Sequence, residues 1–100
     1  MAFVVISSVR VAKEDLPRII ADVLALDLDI VREQPGFRSA RLITAEDETE
    51  AALMVEWESR DHFVAYRQTP VGHEFVVKAA ALHPHIAFYD VVVALDPPGG

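Results

Sequence analysis

Hydrophobic residues recur with the period of a β-strand in some segments and with that of an α-helix in others, which divides the sequence into strands and helices. Val- and Ile-rich runs of strand length are expected at residues 2–11, 37–45, 51–57 and 86–95. Between the first two runs, apolar residues recur at steps of three and four, which is typical of one helix with a single buried face. That face comprises Leu16, Ile19, Ile20, Val23, Leu24, Leu28 and Val31.

The second helical region is expected to be split in two. Ser59 is a suitable N-cap for a short helix, and Thr69-Pro70 then starts another that runs to about Leu82. The acidic segment 46–50 is short enough to join the second and third strands as an antiparallel hairpin.

The resulting order, β-α-β-β-α-β, predicts a ferredoxin-like α+β fold, with one antiparallel four-stranded sheet and helices on one face. We expect a single domain over 1–96 and a disordered tail over 97–100. The other sheet face is expected to carry Met54, Glu56, Ile86 and Phe88, and another protein surface is expected to pack against it. Packing of two such faces predicts a homodimer.

Composition narrows the classes of partner. Apolar residues make up 52% of the 100, so a buried core is expected. The net charge is −7, and the basic residues are scattered, which argues against nucleic acid and anionic membranes as binding partners.

The chain has no cysteine, so disulfides and thiolate nucleophiles are excluded. No apolar run reaches the ~20 residues of a membrane span, and the amino terminus lacks a basic signal region, so a cytoplasmic protein is expected.

The most informative motif lies where the third strand ends. The only tryptophan stands in Glu56-Trp57-Glu58-Ser59, and His62, Tyr66 and Gln68-Thr69-Pro70 follow. Together with the segment 35–40, which begins the second strand, these residues resemble the antibiotic biosynthesis monooxygenase (ABM) family over nearly the whole chain.

The resemblance implies both architecture and chemistry. It implies a dimeric α/β barrel in which each subunit holds a pocket between sheet and helices. Monooxygenases of this family deprotonate a phenolic substrate and let its anion react directly with dioxygen, without metal or flavin. We therefore expect no cofactor, a small aromatic substrate such as a phenol, anthrone or quinol, and dioxygen as the other reactant.

Departures from the family pattern leave two alternatives open. Trp57 matches a pocket tryptophan of the polyketide monooxygenases, but Leu53 and Phe63 replace their polar asparagine and tyrosine. Ser7, Tyr66 and Val76 replace the residues that haem-degrading members use, whereas His62 matches the quinol monooxygenase branch. The alternatives are a non-catalytic small-molecule-binding or accessory protein and an isomerase of a small metabolite.

Candidate site residues follow from the strand parity, the helix spacing and the resemblance. His73, in the first turn of a helix, and Tyr66 are the expected catalytic residues, which accept or relay a proton. A hydrogen bond from Ser7 to a developing oxyanion is also expected. The substrate pocket is expected to be lined by Ser7, Leu53, Val55, Trp57, His62 and Phe63.

The sequence His83-Pro84-His85 invites a metal-site interpretation, because alternate residues of a strand share a face. Two histidines alone do not complete a zinc site. A helix end followed by proline is the favoured interpretation, and no metal site is expected.

Overall fold

Four strands pair into one antiparallel sheet, and the helices lie on one of its faces. The computed structural model describes residues 1–99. The strands are β1 (Phe3–Arg10), β2 (Phe37–Thr44), β3 (Glu50–Trp57) and β4 (His85–Asp90). Their order across the sheet is β2-β3-β1-β4, and every neighbouring pair is antiparallel. The predicted ferredoxin-like α+β fold and the β2–β3 hairpin are thus confirmed.

The helices are α1 (Leu16–Leu24), α2 (Leu28–Val31), α3 (Arg60–Gln68) and α4 (Pro70–Ala80), with a 3-10 turn at Lys13–Asp15. The predicted split of the second helical region is confirmed at Thr69. Its hydroxyl donates to the Tyr66 carbonyl at 2.7 Å and accepts from the Gly72 amide at 3.0 Å. The same side chain therefore ends α3 and caps α4.

The first helical region is not the single helix that its periodicity predicts. The chain breaks at Asp27 (φ −78°, ψ 74°), where the Leu28 amide donates to the Leu26 carbonyl at 2.8 Å. These angles are those of an inverse γ-turn, which cannot continue a helix. The break leaves Leu26 in one core cluster and places Val31 in the other.

Strand β3 runs through the middle of the core. Its residues alternate between buried and half-buried, and Leu53, Val55 and Trp57 face the helices. In β4, Phe88 lies opposite Val5 of β1, and the adjacent pairs place Ile86 on the same face. The expectation that Ile86 and Phe88 lie on the uncovered face is wrong, because the register with β1 decides which parity of β4 faces the helices.

Strand β4 is shorter than predicted. Asp90 pairs with Phe3, the first residue of β1, so the residues that follow have run past their partner strand. The Val91 amide still donates to the Ala2 carbonyl at 2.9 Å, but Val92 and Val93 are exposed. Of the tail expected at 97–100, Gly100 lies outside the described residues. Within residues 1–99, no helix has the length and apolar character that a membrane span requires.

The joint between α3 and α4 predicts an unusual response to a glycine substitution. Gly72 is buried, and a Cβ atom there would collide with the Tyr66 carbonyl oxygen. Gly to Ala inside a helix normally stabilises by about 1 kcal/mol. Here we expect Gly72→Ala to lower the free energy of unfolding by about 1–3 kcal/mol, because the collision forces the two helices apart. Urea unfolding followed by circular dichroism measures this change.

His73→Ala is the control, because His73 is the next residue and is exposed. It should change the free energy of unfolding by less than about 0.5 kcal/mol. A Gly72→Ala protein as stable as the wild type would contradict the close approach of the two helices.

Candidate functional site

A cavity of about 440 Å³ lies between the helix-covered face of the sheet and helices α3 and α4. This volume is within the usual range for small-molecule sites, roughly 300–1,000 Å³. The sheet supplies one wall, which comprises Val5, Ser7, Leu53, Val55, Trp57, Ile86 and Phe88. The opposite wall comes from the helices and the segment after them, and it includes Phe63, Tyr66, Arg67, Phe75, Val76, Ala79, Ala80, His83 and Pro84.

Most of the pocket residues predicted from the sequence meet at this cavity. Ser7, Leu53, Val55, Trp57, Phe63 and Tyr66 all line it. The Trp57 ring packs against Tyr66 with centroids 4.9 Å apart and against Phe63 at 6.1 Å. Strand β3 and helix α3 thus present three aromatic rings to one space.

His62 does not line the cavity, contrary to expectation. Its Nδ1 lies 2.7 Å from the Ser59 hydroxyl, which also accepts from the His62 backbone amide at 3.2 Å. The ring packs against Gly36, where φ is +82° and a Cβ atom would overlap the imidazole. His62 therefore connects the start of α3 to the turn before β2.

His73 also lies away from the cavity. It is an exposed residue in the first turn of α4 and is not among the side chains that line the space. His73 was chosen because it lies near a helix N-terminus. That position does not determine which way the first turn of α4 faces. The structure does not bring His73 together with Tyr66 at the site.

Tyr66 is deeply buried, and this limits its chemistry. Only 6% of the residue is exposed, and burial raises the pKa of its phenol to about 12. At neutral pH the hydroxyl is protonated, so it can donate a hydrogen bond but does not serve as the proton acceptor. Within residues 1–99, neither the Tyr66 hydroxyl nor Trp57 Nε1 has a hydrogen-bond partner, and protein atoms cover both. A ligand could reach either atom only after a ring moves.

Two polar lining residues were missed in the sequence. Arg67 follows Tyr66, and its guanidinium carbon lies 5.7 Å from the centroid of the Phe63 ring. The four-residue spacing of Phe63 and Arg67 on one helix is a signal that could have found this contact. His83 has a left-handed φ of 52° after α4 and lines the cavity, whereas the sequence indicated only a helix end there.

The one charged side chain among the described residues that line the cavity is that of Arg67. Among the described residues that line it, none is Asp or Glu, although the chain has 16 acidic residues. In the part of the chain that the structure covers, no three His, Cys, Asp or Glu side chains are grouped so as to hold a metal ion.

Comparison with known proteins agrees with this architecture. The family model for antibiotic biosynthesis monooxygenases matches residues 2–78. The chain therefore belongs to the antibiotic biosynthesis monooxygenase family, as its motifs predicted. No curated protein matches the sequence.

Solved structures share the fold over nearly their whole length. A monooxygenase of Streptomyces coelicolor, in complex with nanaomycin D, is 22% identical with a TM-score of 0.75, covering 96% of this chain and 92% of its own. The heme-degrading protein Rv3592 of Mycobacterium tuberculosis is 21% identical with a TM-score of 0.72, covering 97% and 98%. Rv0793 of the same organism is 19% identical with a TM-score of 0.70, covering 99% and 100%. At these identities the likeness establishes the fold.

The buried phenol of Tyr66 predicts a gain in stability when its hydroxyl is removed. An unpaired buried hydroxyl costs roughly 1–3 kcal/mol. Tyr66→Phe should therefore raise the free energy of unfolding by about 1 kcal/mol at pH 7, measured by urea unfolding. Tyr89→Phe is the control, because Tyr89 is 51% exposed and its hydroxyl is not buried without a partner. A loss of stability in Tyr66→Phe would show that the hydroxyl has a partner.

The same comparison at alkaline pH tests the raised pKa. Between about pH 10 and 12 the unfolded chain loses the Tyr66 proton that the folded protein keeps, so stability falls as pH rises. The two-unit difference corresponds to roughly 2–3 kcal/mol. This loss should be absent in Tyr66→Phe and present in Tyr89→Phe.

Proposed function

We propose that the protein is a cofactor-independent monooxygenase that oxidises a phenolic, anthrone or quinol-type small molecule with dioxygen. The observation that supports this most is the cavity of about 440 Å³, whose wall carries the closely packed, tilted rings of Trp57 and Tyr66. Its volume and aromatic wall suit a flat ring system. Membership of a monooxygenase family supplies the reaction type.

The proposed reaction places few demands on protein side chains. The substrate loses a proton from oxygen or an adjacent carbon, and the resulting anion forms a carbon–oxygen bond with dioxygen. The resulting peroxide anion takes back a proton, and the hydroperoxide then loses water, so that one oxygen atom becomes a ring carbonyl and the other leaves in water. The protein's task is to orient the ring, keep bulk water away from the anion and stabilise charge on oxygen.

Ser7 is the side chain in the cavity that suits the last of these tasks. It is half-buried in β1, opposite Leu53 on one side and Ile86 on the other. Its hydroxyl can donate a hydrogen bond to a developing oxyanion from within an otherwise apolar wall. Leu53, Val55 and Phe63 exclude water around it.

A second candidate function is binding of a small aromatic molecule without turnover. The observation that favours it is the apolar character of the inner wall, where Leu53 and Phe63 carry no group that can move a proton. The Tyr66 hydroxyl is covered by protein atoms, so it too is not placed to move a substrate proton. The two functions share the same cavity and differ in whether oxygen is consumed.

Blocking the cavity tests the oxygenase proposal. Val76 of α4 lines the space, whereas the adjacent Val77 does not line it and is 58% exposed. With a panel of anthrones and hydroquinones and no added cofactor, the wild type should consume oxygen above the uncatalysed rate. Val76→Phe should lower this rate at least about tenfold by filling the cavity, and the matched control Val77→Phe should leave it unchanged.

Two outcomes decide between the candidates. If no member of the panel raises oxygen uptake, the monooxygenase proposal fails for these substrates. If the same compounds then quench the fluorescence of Trp57, and Val76→Phe abolishes the quenching, binding without turnover is supported. Equal oxygen uptake by Val76→Phe and Val77→Phe would place the reaction outside this cavity.

We further propose that the protein is a homodimer that packs through the uncovered sheet face. This face carries Ile6 and Met54 at its centre, with Ile43 45% exposed and Tyr89 51% exposed. These apolar side chains lie beside Arg41 and Glu56 of the same face, and exposed apolar surface of this kind often marks a subunit interface. A two-fold axis, the commonest symmetry of small oligomers, would pack this face against its own copy.

A charge at the centre of this face should separate the subunits. Ile6→Glu places a carboxylate where the two sheets would meet, so light scattering after gel filtration should shift from twice the chain mass of 11.1 kDa to once that mass. Ala21→Glu, on the exposed side of α1, should remain dimeric. A monomeric wild type would rule out the dimer, and circular dichroism shows whether Ile6→Glu is folded.

A further inference from the structure

The polar groups of the cavity differ in where they lie. Ser7 is half-buried in the sheet, whereas Arg67 and His83 are exposed residues that also line the space. Exposure combined with cavity lining places these two side chains at the mouth, together with the exposed Ala80, Ile86 and Phe88. Among the described lining residues there is no acidic group, and the one charged side chain is that of Arg67, in a protein of net charge −7. Such a local reversal of sign favours an anionic group at this position.

Arg67 is free to bind an anion. The ion pairs within residues 1–99 involve Lys13, Arg32, Arg38 and Lys78, and none involves Arg67. Its guanidinium lies over the Phe63 ring at 5.7 Å, a contact that restrains the side chain beside the cavity. The planar fork of a restrained guanidinium matches the two oxygens of a carboxylate.

His83 is fixed at the mouth by the backbone. It follows α4 with φ 52°, in the position where glycine commonly ends a helix, and its amide donates to the Ala80 carbonyl at 3.0 Å. Pro84, which also lines the cavity, restricts the chain directly after it. The His83 imidazole is therefore held at a backbone position that glycine would occupy with less strain.

We propose that the cavity selects flat aromatic molecules that carry one carboxylate, which Arg67 binds at the mouth. The ring system lies inside, against the aromatic side chains of β3 and α3. This assignment rests on the proposed function, because it names the substrate class of the same cavity. Its test measures binding and not turnover, so the two can fail separately.

The single tryptophan makes the test direct. Trp57 lines the cavity, so its fluorescence reports occupancy without background from other indoles. The probes are anthracene-9-carboxylate and the neutral 9-anthracenemethanol, which share one ring system. The wild type should bind the carboxylate about tenfold more tightly, the usual contribution of a charge-assisted hydrogen bond.

Matched variants assign this preference to residues. Arg67→Gln should weaken carboxylate binding about tenfold and leave the neutral probe unchanged. Arg60→Gln removes the same charge from the same helix, but Arg60 does not line the cavity, so both affinities should stay as in the wild type.

Equal affinity of the wild type for the two probes would overturn the inference. So would an equal loss in Arg67→Gln and Arg60→Gln, because net charge and not the mouth would then be responsible. A carboxylate preference that persists while no anthrone or hydroquinone is oxidised supports the inference and removes only the proposed reaction. Oxygen uptake without any carboxylate preference removes only the inference.

Discussion

The indole of Trp57 lies where the end of β3, the turn before β2 and helix α3 come together. It is 1% exposed, packs against the tilted ring of Tyr66 at 4.9 Å and forms a T-shaped contact with Phe37 at 6.0 Å. Replacing a tryptophan buried to this degree by Ala typically costs about 3–5 kcal/mol. Because α3 is held against the sheet by this contact, the positions of Tyr66 and Arg67 depend on it. Core stability and cavity shape therefore have the same physical origin.

The open space beside Trp57 depends on how α3 passes into α4. The Thr69 hydroxyl donates a hydrogen bond to the Tyr66 carbonyl of α3 and accepts one from the Gly72 amide of α4. Gly72 has no side chain, so the two helix backbones can come into contact. The chain can then turn between the helices without a loop. The small side chains of Ala79 and Ala80 line the cavity. Ala79 also packs against the core cluster that contains Leu16 and Ile19, so a larger residue there would disturb the core as well as fill the space.

Local patterns predicted most of the fold because they depend on neighbouring residues. Strand periodicity, the caps at Ser59 and Thr69 and the hairpin at 46–50 are of this kind. The face of Ile86 and Phe88 was assigned wrongly because parity within a strand does not fix its register with β1.

The site was predicted in part for the same reason. Leu53, Val55 and Trp57 share a strand parity and line the cavity, as does Ser7, which the family resemblance indicated. His62 was chosen from the resemblance and its helix spacing, and His73 from its position in a helix. The direction of a helix face depends on how the helix docks on the sheet. Likewise, the location of His83 at the cavity depends on where α4 ends relative to the sheet, which the local sequence does not determine.

The distribution of polarity in the cavity has a consistent energetic basis. An ionised group buried beside Leu53 and Phe63 would lose its hydration with no partner, which costs several kcal/mol. The same group at the mouth, beside Arg67, keeps part of its water while it gains a hydrogen-bonding cation. An apolar ring, by contrast, gains most from the dry inner wall. The inner wall and the mouth thus favour opposite ends of one molecule, so the cavity orients a ligand without any buried charge.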